Sequence, residues 1–369
     1  MNGLTTVFLA GDVMTGRGVD QILPCPSPPA LHESYVEDAR IYVDLVEESS
    51  GPIPRPVEPG YVWGDALDDL EDVAPDARIV NLETSVTRSE DWWKGKGMNY
   101  RMHPANVTCL TAASIDACAL ANNHVLDYGE AGLVETLDTL AMAGVKTAGA
   151  GRNLAEARSP AIVARRDGGR VVVFSLGAET SGIPAGWAAT ETRPGVDLLR
   201  DLAEATADEI TERARRVKRP GDVAIASIHW GSNWGWAVPA SHVRFAHRLI
   251  DGGSIDVVHG HSSHHPRPIE VYRDKLVLYG CGNFIDDYEG IRGYEEFRTE
   301  LVLMYFPALA VDTGHLAALR MSPLRIRKMR LHRAAPEEAK WLGATLSRAS
   351  GGFGTRLELT ADAQLVLSD

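Results

Sequence analysis

Five short polar clusters in this chain place carboxylate, amide and imidazole groups directly after apolar runs that read as buried strands. Gly11-Asp12 ends the run 5–10, Asn81-Leu82-Glu83 follows 77–80, and Asn122-Asn123-His124 follows 117–121. His229-Trp230-Gly231 follows 223–226, and Gly260-His261-Ser262-Ser263-His264-His265 follows 255–258. Carboxylate and amide oxygens and imidazole nitrogens are ligands for divalent cations, and the carboxyl edge of an α/β sheet is where ligand groups gather. The repetition points to a metal site at one sheet edge.

The elements that must hold these clusters alternate in type. Residues 132–143 put Leu133, Leu137 and Leu140 on one helix face and stop at Gly144. Residues 197–217 repeat Leu199, Leu202, Ala203, Ala207, Ile210 and Ala214 before Pro220, which predicts a second amphipathic helix. Ser241 reads as the N-cap of a third helix through Ile250, closed by Gly252-Gly253. With strands at 171–175 and 275–279, the pattern is βα alternation, hence an α/β layered fold. After Glu300 come strand-like segments at 301–306, 323–331 and 365–367 and one amphipathic helix at 337–347, which extend or flank the sheet. Eight of the 20 prolines fall within 24–59. That loop-rich insertion leaves from the Asp12 strand tip, so it reads either as a lid over the site or as a surface excursion. One domain over 1–369 is expected, with the insertion at 24–59 and the extension at 300–369.

Composition excludes several classes. The chain has 369 residues, 44% hydrophobic and 24% charged, and no apolar run near the roughly 20 residues that span a bilayer. A net charge of -13 disfavours a phosphate-backbone binder, so no nucleic-acid partner and no membrane partner is expected. The opening MNGLTTVFLAGDVM lacks a basic n-region and runs into the first strand, so we expect no signal peptide and a cytoplasmic location. Cys25, Cys109, Cys118 and Cys281 show no CxxC spacing and read as free thiols.

Taken in order, the motifs resemble the CapA-like capsule or poly-γ-glutamate synthesis family, a branch of the calcineurin-like metallophosphoesterase superfamily. The resemblance runs from Gly11-Asp12-Val13-Met14-Thr15-Gly16-Arg17 through Asn81-Leu82-Glu83-Thr84 and Leu120-Ala121-Asn122-Asn123-His124-Val125-Leu126-Asp127-Tyr128-Gly129. It continues through Gly149-Ala150-Gly151-Arg152-Asn153 and His229-Trp230-Gly231 to Gly282-Asn283-Phe284. It implies a calcineurin-like layered β-sandwich flanked by helices, with the metal at the strand-following loops. It also implies one divalent ion, Ca, Mn, Mg or Zn, on Glu83, Asn123, His229 and His261. The superfamily's first-strand DxH is broken, since Met14 stands two residues after Asp12. One of the two superfamily metal sites has therefore lost a ligand.

That loss leaves Asp12 and His264 as an acid/base pair whose carboxylate would raise the imidazole pKa. By the resemblance His124 is a non-ligand catalytic histidine. Asp127 either orients it or caps the helix that begins near Gly129. Two such pairs around a metal fit removal and return of a proton at carbon, and the GHSSHH form resembles the lasso-peptide epimerase branch. The leading expectation is thus an isomerase, a peptide epimerase acting at the Cα of a residue, C-terminal by preference, of a peptide such as a ribosomal precursor. The alternatives are a metal-dependent phosphoesterase or amide hydrolase, and a non-catalytic accessory protein of polymer synthesis. His265, Trp230 and Arg17 are the expected substrate contacts, with His265 as a plain loop residue and Trp230 as packing under its loop the rival readings. His259 reads as a hydrogen-bonded core histidine, and His242 and His247 as a solvated helix face.

Overall fold

Strands that are apolar on both faces need cover on both faces, and this chain supplies it in four layers. The computed structural model describes residues 3–166 and 168–368. In the strand Leu4–Val13, Val7 and Leu9 face a second sheet while Phe8 and Ala10 face helices. This strand lies between parallel Ala77–Leu82 and antiparallel Leu301–Ala310 in a ten-stranded sheet. Ala117–Ala119 and Lys146–Ala148 extend its parallel half. Leu316–Arg327, Leu365–Leu367 and Leu357–Leu359 extend the antiparallel half. The second sheet has six strands: parallel Arg170–Gly177, Val223–His229, Val257–His261 and Lys275–Leu278, with antiparallel Ala161–Ala164 and Ile269–Tyr272 at its edges.

Val7, Leu9 and Ile79 of the first sheet pack with Val173, Ile225 and Val257 of the second to form the central core. Helices Arg40–Ser50, Ala66–Val73 and Gly129–Met142 cover the first sheet, and Glu204–Val217 and Ala240–Asp251 cover the second. The helix Pro336–Ser350 inserts Leu342 and Leu346 beside Leu365, so the C-terminal extension belongs to the central core. Among the described residues no helix is long and apolar enough to cross a membrane.

The layered α/β sandwich flanked by helices is therefore as expected, with local corrections. Residues 197–203 are not helical: Asp197 is buried and paired with Arg213, and the helix starts at Glu204. The third helix begins at Ala240 after Pro239, one residue ahead of the expected Ser241 cap. The expected strand 323–331 is the bend of a hairpin, because Lys328 and Met329 turn the chain in the left-handed region. The stretch 24–59 holds a helix, whose Tyr42, Val43 and Val46 are buried. His242 is also buried and stacks on Trp230 at 4.4 Å, and partly buried His247 bonds Glu270 at 2.9 Å; neither forms a solvated face.

Candidate metal centre and acid/base site

Strand register brings the polar tips together. Asp12 lies beside Asn81 on one neighbour and Asn283 on the other, while His229 pairs with His261 in the second sheet. The carboxyl edges of both sheets meet there, and Asp12, His229 and His261, all buried, offer ligand atoms within 4.8 Å of one another. His229 Nδ1 is 2.8 Å from His261 Nδ1, and His229 Nε2 is 2.9 Å from Asn123 Oδ1 and 3.9 Å from Glu83 Oε1. Glu83, Asn123, His229 and His261 thus converge, and Asp12 joins them. It does not pair with His264.

A chain of hydrogen bonds decides which nitrogen of His261 is free. The Ala10 carbonyl can only accept, so His259 Nε2 donates to it at 2.9 Å. Burial pushes the His259 pKa down to about 4, so its ring is neutral at neutral pH and its Nδ1 accepts from Ser227 Oγ at 3.0 Å. With its one proton spent, Ser227 Oγ accepts from His261 Nε2 at 2.9 Å. His261 Nδ1 is therefore a bare lone pair aimed at His229 and Asp12. A core histidine on the same strand, His259, sets a ligand's tautomer, and its own is fixed by the Ala10 carbonyl of the other sheet.

The donor set fits a cation. Burial, then the nearby His124 and His264, hold the His229 pKa well below its ordinary value, so His229 is neutral and has one N–H. It faces two acceptors, His261 Nδ1 and Asn123 Oδ1, so one of these contacts sets lone pair against lone pair. A divalent ion held by these groups would turn that repulsion into ligation. Asp12 and Glu83 share a hydrogen bond, and among the described residues no Lys or Arg ion-pairs with either. Burial pushes the Asp12 pKa up to about 7, and burial plus the Asp12 charge push Glu83 well above its usual range. Lys96 acts on Glu83 only at a distance and is itself paired with Asp127, so two buried carboxylates without a direct cationic partner ask for a positive charge. Asn81 braces them, donating to Asp12 Oδ1 at 2.7 Å and Glu83 Oε2 at 3.2 Å, while the Ser262 N–H, presented by a backbone at φ 96°, donates to Asp12 Oδ2 at 3.2 Å.

Beside this cluster stands a second arrangement. His124 Nδ1 donates to Asp127 Oδ2 at 2.6 Å, which leaves Nε2 bare, 3.8 Å from Glu83 Oε1. Asp127 also accepts from the Tyr100 N–H at 2.7 Å and from Lys96 Nζ at 2.5 Å. It does not cap the helix Gly129–Met142, whose N-cap is Tyr128. Lys96 also donates to the Asn123 carbonyl and so ties the metal-side loop to the dyad. Burial, and then Lys96, push the His124 pKa down to about 4, outweighing Asp127. His124 is a neutral, oriented base. Lys96 and Asn81 escaped the sequence reading: Asn81 stands in a quoted cluster, but Lys96 sits in a Gly-Lys-Gly loop with no spacing signal.

His264 lines a cavity of about 570 Å³ next to the cluster, stacked between Trp234 and Tyr288 at 5.1 and 5.3 Å. Its Nδ1 has no hydrogen-bond partner. Burial, then His124 and His265, lower its pKa to about 3, the reverse of the rise expected from an Asp12 partner. Trp230 is not a substrate contact: its ring is buried against His242 and Tyr279, and its N–H donates to the Tyr279 carbonyl at 3.0 Å. His265 is likewise buried, stacked on Phe297 at 4.5 Å and outside the cavity lining. Arg17 does border the cavity, but it donates to Asp287 at 2.5 Å and to Glu33 at 3.1 Å. A larger cavity of about 1010 Å³, lined by Arg88, His103 and Met142 among others, contains none of these groups.

A family described as bacterial capsule synthesis protein PGA_cap matches residues 6–288, which includes every cluster above. The chain belongs to this family. It is 52% identical over 360 residues, 97% of this chain and 94% of the relative, to a protein of Mycobacterium tuberculosis named probable polyglutamine synthesis accessory protein. It is 27% identical over 320 residues, 85% of this chain and 75% of the relative, to the PGA biosynthesis protein CapA of Bacillus subtilis. A phosphatase structure from Mycoplasma pneumoniae overlays with a TM-score of 0.45 at 12% identity, covering 92% of this chain and 98% of that one.

Proposed function

We propose that this chain is a metal-dependent hydrolase of amide bonds in a peptide-type chain, serving polymer synthesis as its PGA_cap membership and its relatives' names suggest. The observation that carries the proposal is the pairing of two arrangements. Acceptor groups that need a cation stand beside a neutral imidazole whose bare Nε2 faces them. Held by Asp12, Asn123, His229, His261 and Glu83, a divalent ion would supply Lewis-acid polarisation and a lowered water pKa. The rest falls to side chains. His124 Nε2 takes the proton of the attacking water and returns it to the departing amine, while Asp127 and Lys96 keep its ring in register. Metal-loaded protein incubated with α-linked glutaminyl and γ-linked glutamyl oligomers should release shorter chains and new amines, seen by mass spectrometry. No shortening of any oligomer with the ion bound would sink the proposal, and turnover of phosphate esters instead would mark a phosphoesterase.

One observation favours a second reading, inversion at a peptide Cα. His264 borders the cavity and holds a buried Nδ1 with no hydrogen-bond partner among the described residues, close enough to His124 that their charges would interact, so two neutral imidazoles stand near each other. In deuterium oxide that chemistry adds one deuterium at Cα without changing chain length. Absence of exchange removes it.

A further inference from the structure

We infer that the cavity beside the metal centre selects an uncharged, preferably aromatic, side chain of its substrate and rejects a carboxylate. The inference rests on the preceding proposal only for the peptide character of that substrate. The walls are aromatic and aliphatic: Tyr35, Tyr42, Met98, Trp234, Tyr288 and Tyr294 all border the space of about 570 Å³. That volume suits a side chain with part of its backbone, and such cavities bind chiefly by burying apolar surface.

The charges on the lining decide what is refused. Arg17 is the one cation there among the described residues, and Asp287 and Glu33 already occupy its guanidinium from two sides. Tyr42 lies over it, with the guanidinium carbon 3.6 Å from the ring centroid, and a Tyr42 hydroxyl bond fixes Glu33. A guanidinium with two carboxylates and an aromatic face has little left for a third anion. Glu295 and Glu300 also line the cavity; Glu295 accepts from the Gly293 N–H at 3.0 Å and feels Arg292, and Glu300 pairs with Arg298, so with Asp287 and Glu33 on Arg17 four carboxylates face three arginines around this space. An entering carboxylate would leave water for a site whose net field is negative. The mouth agrees with this, since Tyr35, Ile291 and Tyr294 are 65%, 48% and 47% exposed, an apolar rim where a soluble surface would ordinarily be polar. Polyglutamate, a polyanion, is the poor match, and an uncharged chain is the good one.

Two comparisons separate the claims, the isosteric pair Gln and Glu for charge and the pair Tyr and Ala for the aromatic ring. Binding of Ac-Ala-Ala-Xaa-NH2, with Xaa as Tyr, Gln, Glu or Ala, is measured by calorimetry on the full, metal-loaded chain. The Gln peptide should bind at least about tenfold more tightly than the Glu peptide, and the Tyr peptide more tightly than either. Tyr35→Ala, on the exposed rim, and Trp234→Ala should each weaken the Tyr peptide about tenfold while one ion per chain is retained. Glu binding as well as Gln overturns the charge argument. Tyr binding no better than Ala, no measurable binding of any peptide, or no effect of either substitution overturns the cavity assignment. Because binding is read without turnover, a failure of the hydrolase proposal shows separately, as binding with no cleavage.

Discussion

Ser227 contributes a single hydroxyl proton, and where that proton goes settles the tautomer of His261. Ser227→Ala should therefore weaken ion binding by about 10- to 100-fold, the usual effect of losing a ligand's orienting partner, whereas Ser227→Thr keeps the hydroxyl and should restore most of it. Titration of the ion by calorimetry reads both variants. His229 bridges the two acceptors directly, so His229→Ala should abolish retention, and elemental analysis of the parent protein should find one tightly held ion per chain. Two equally tight ions would contradict a single centre built around a missing first-strand histidine. His124 has a different job. His124→Asn should keep the ion and lose turnover by about 10²- to 10⁴-fold, the range of one general base.

At the scale of elements, two contacts hold the site's frame. Gly11 sits where the first strand meets the turn at Gly282, and a Cβ there would lie 1.8 Å from the Gly282 carbonyl oxygen. Gly11→Ala must push the strand tip away and carry Asp12 with it; we expect a loss of about 1–3 kcal/mol in chemical denaturation together with weaker ion binding. The second contact ties the insertion at 24–59 to the first strand's exit. Arg17 holds Glu33 and Asp287 in a buried trio, and Tyr42 of the insertion's helix packs on its guanidinium. The segment therefore forms a wall of the cavity, contributing Tyr35, Tyr42 and Leu45. Arg17→Leu strands two buried carboxylates at a cost of about 3–5 kcal/mol. Limited proteolysis should then cut within 24–59 faster than in the parent.

At the scale of the whole molecule, the centre joins two sheets. Asp12 and Asn81 come from one, His229 and His261 from the other, and the His259 bond to the Ala10 carbonyl already crosses between them. An ion at this junction would tie the layers together, so its removal should be felt globally. A ligand bound only by the folded state adds about 2.7 kcal/mol at a concentration 100 times its Kd. Chelation should accordingly lower the melting temperature, and restoring the divalent ion should raise it in a concentration-dependent way. An unchanged melting temperature would mean that the donor set holds no ion of consequence.

Much of this could be read before any coordinates. Apolar runs ending in Asp12, Glu83, Asn123, His229 and His261 are local in sequence, and a parallel α/β sheet necessarily lines up its strand ends. That is why the α/β layered fold and a polar site at one sheet edge followed from pattern, whereas the set Glu83, Asn123, His229 and His261 came from the family resemblance and Asp12 joined it only in the structure. Partners were another matter. The expected Asp12–His264 pair does not form, because Asp12 lies in register with Asn81 while His264 turns out between Trp234 and Tyr288. Trp230 and His265 looked like site residues by adjacency, yet their rings pack into the core. Lys96 reaches Asp127 from a loop 31 residues away, a distance along the chain that no periodicity encodes. Residue type and spacing determined which groups reach the sheet edge; only the packing of the two sheets and their loops decided which group touches which, because those contacts join segments far apart in the chain.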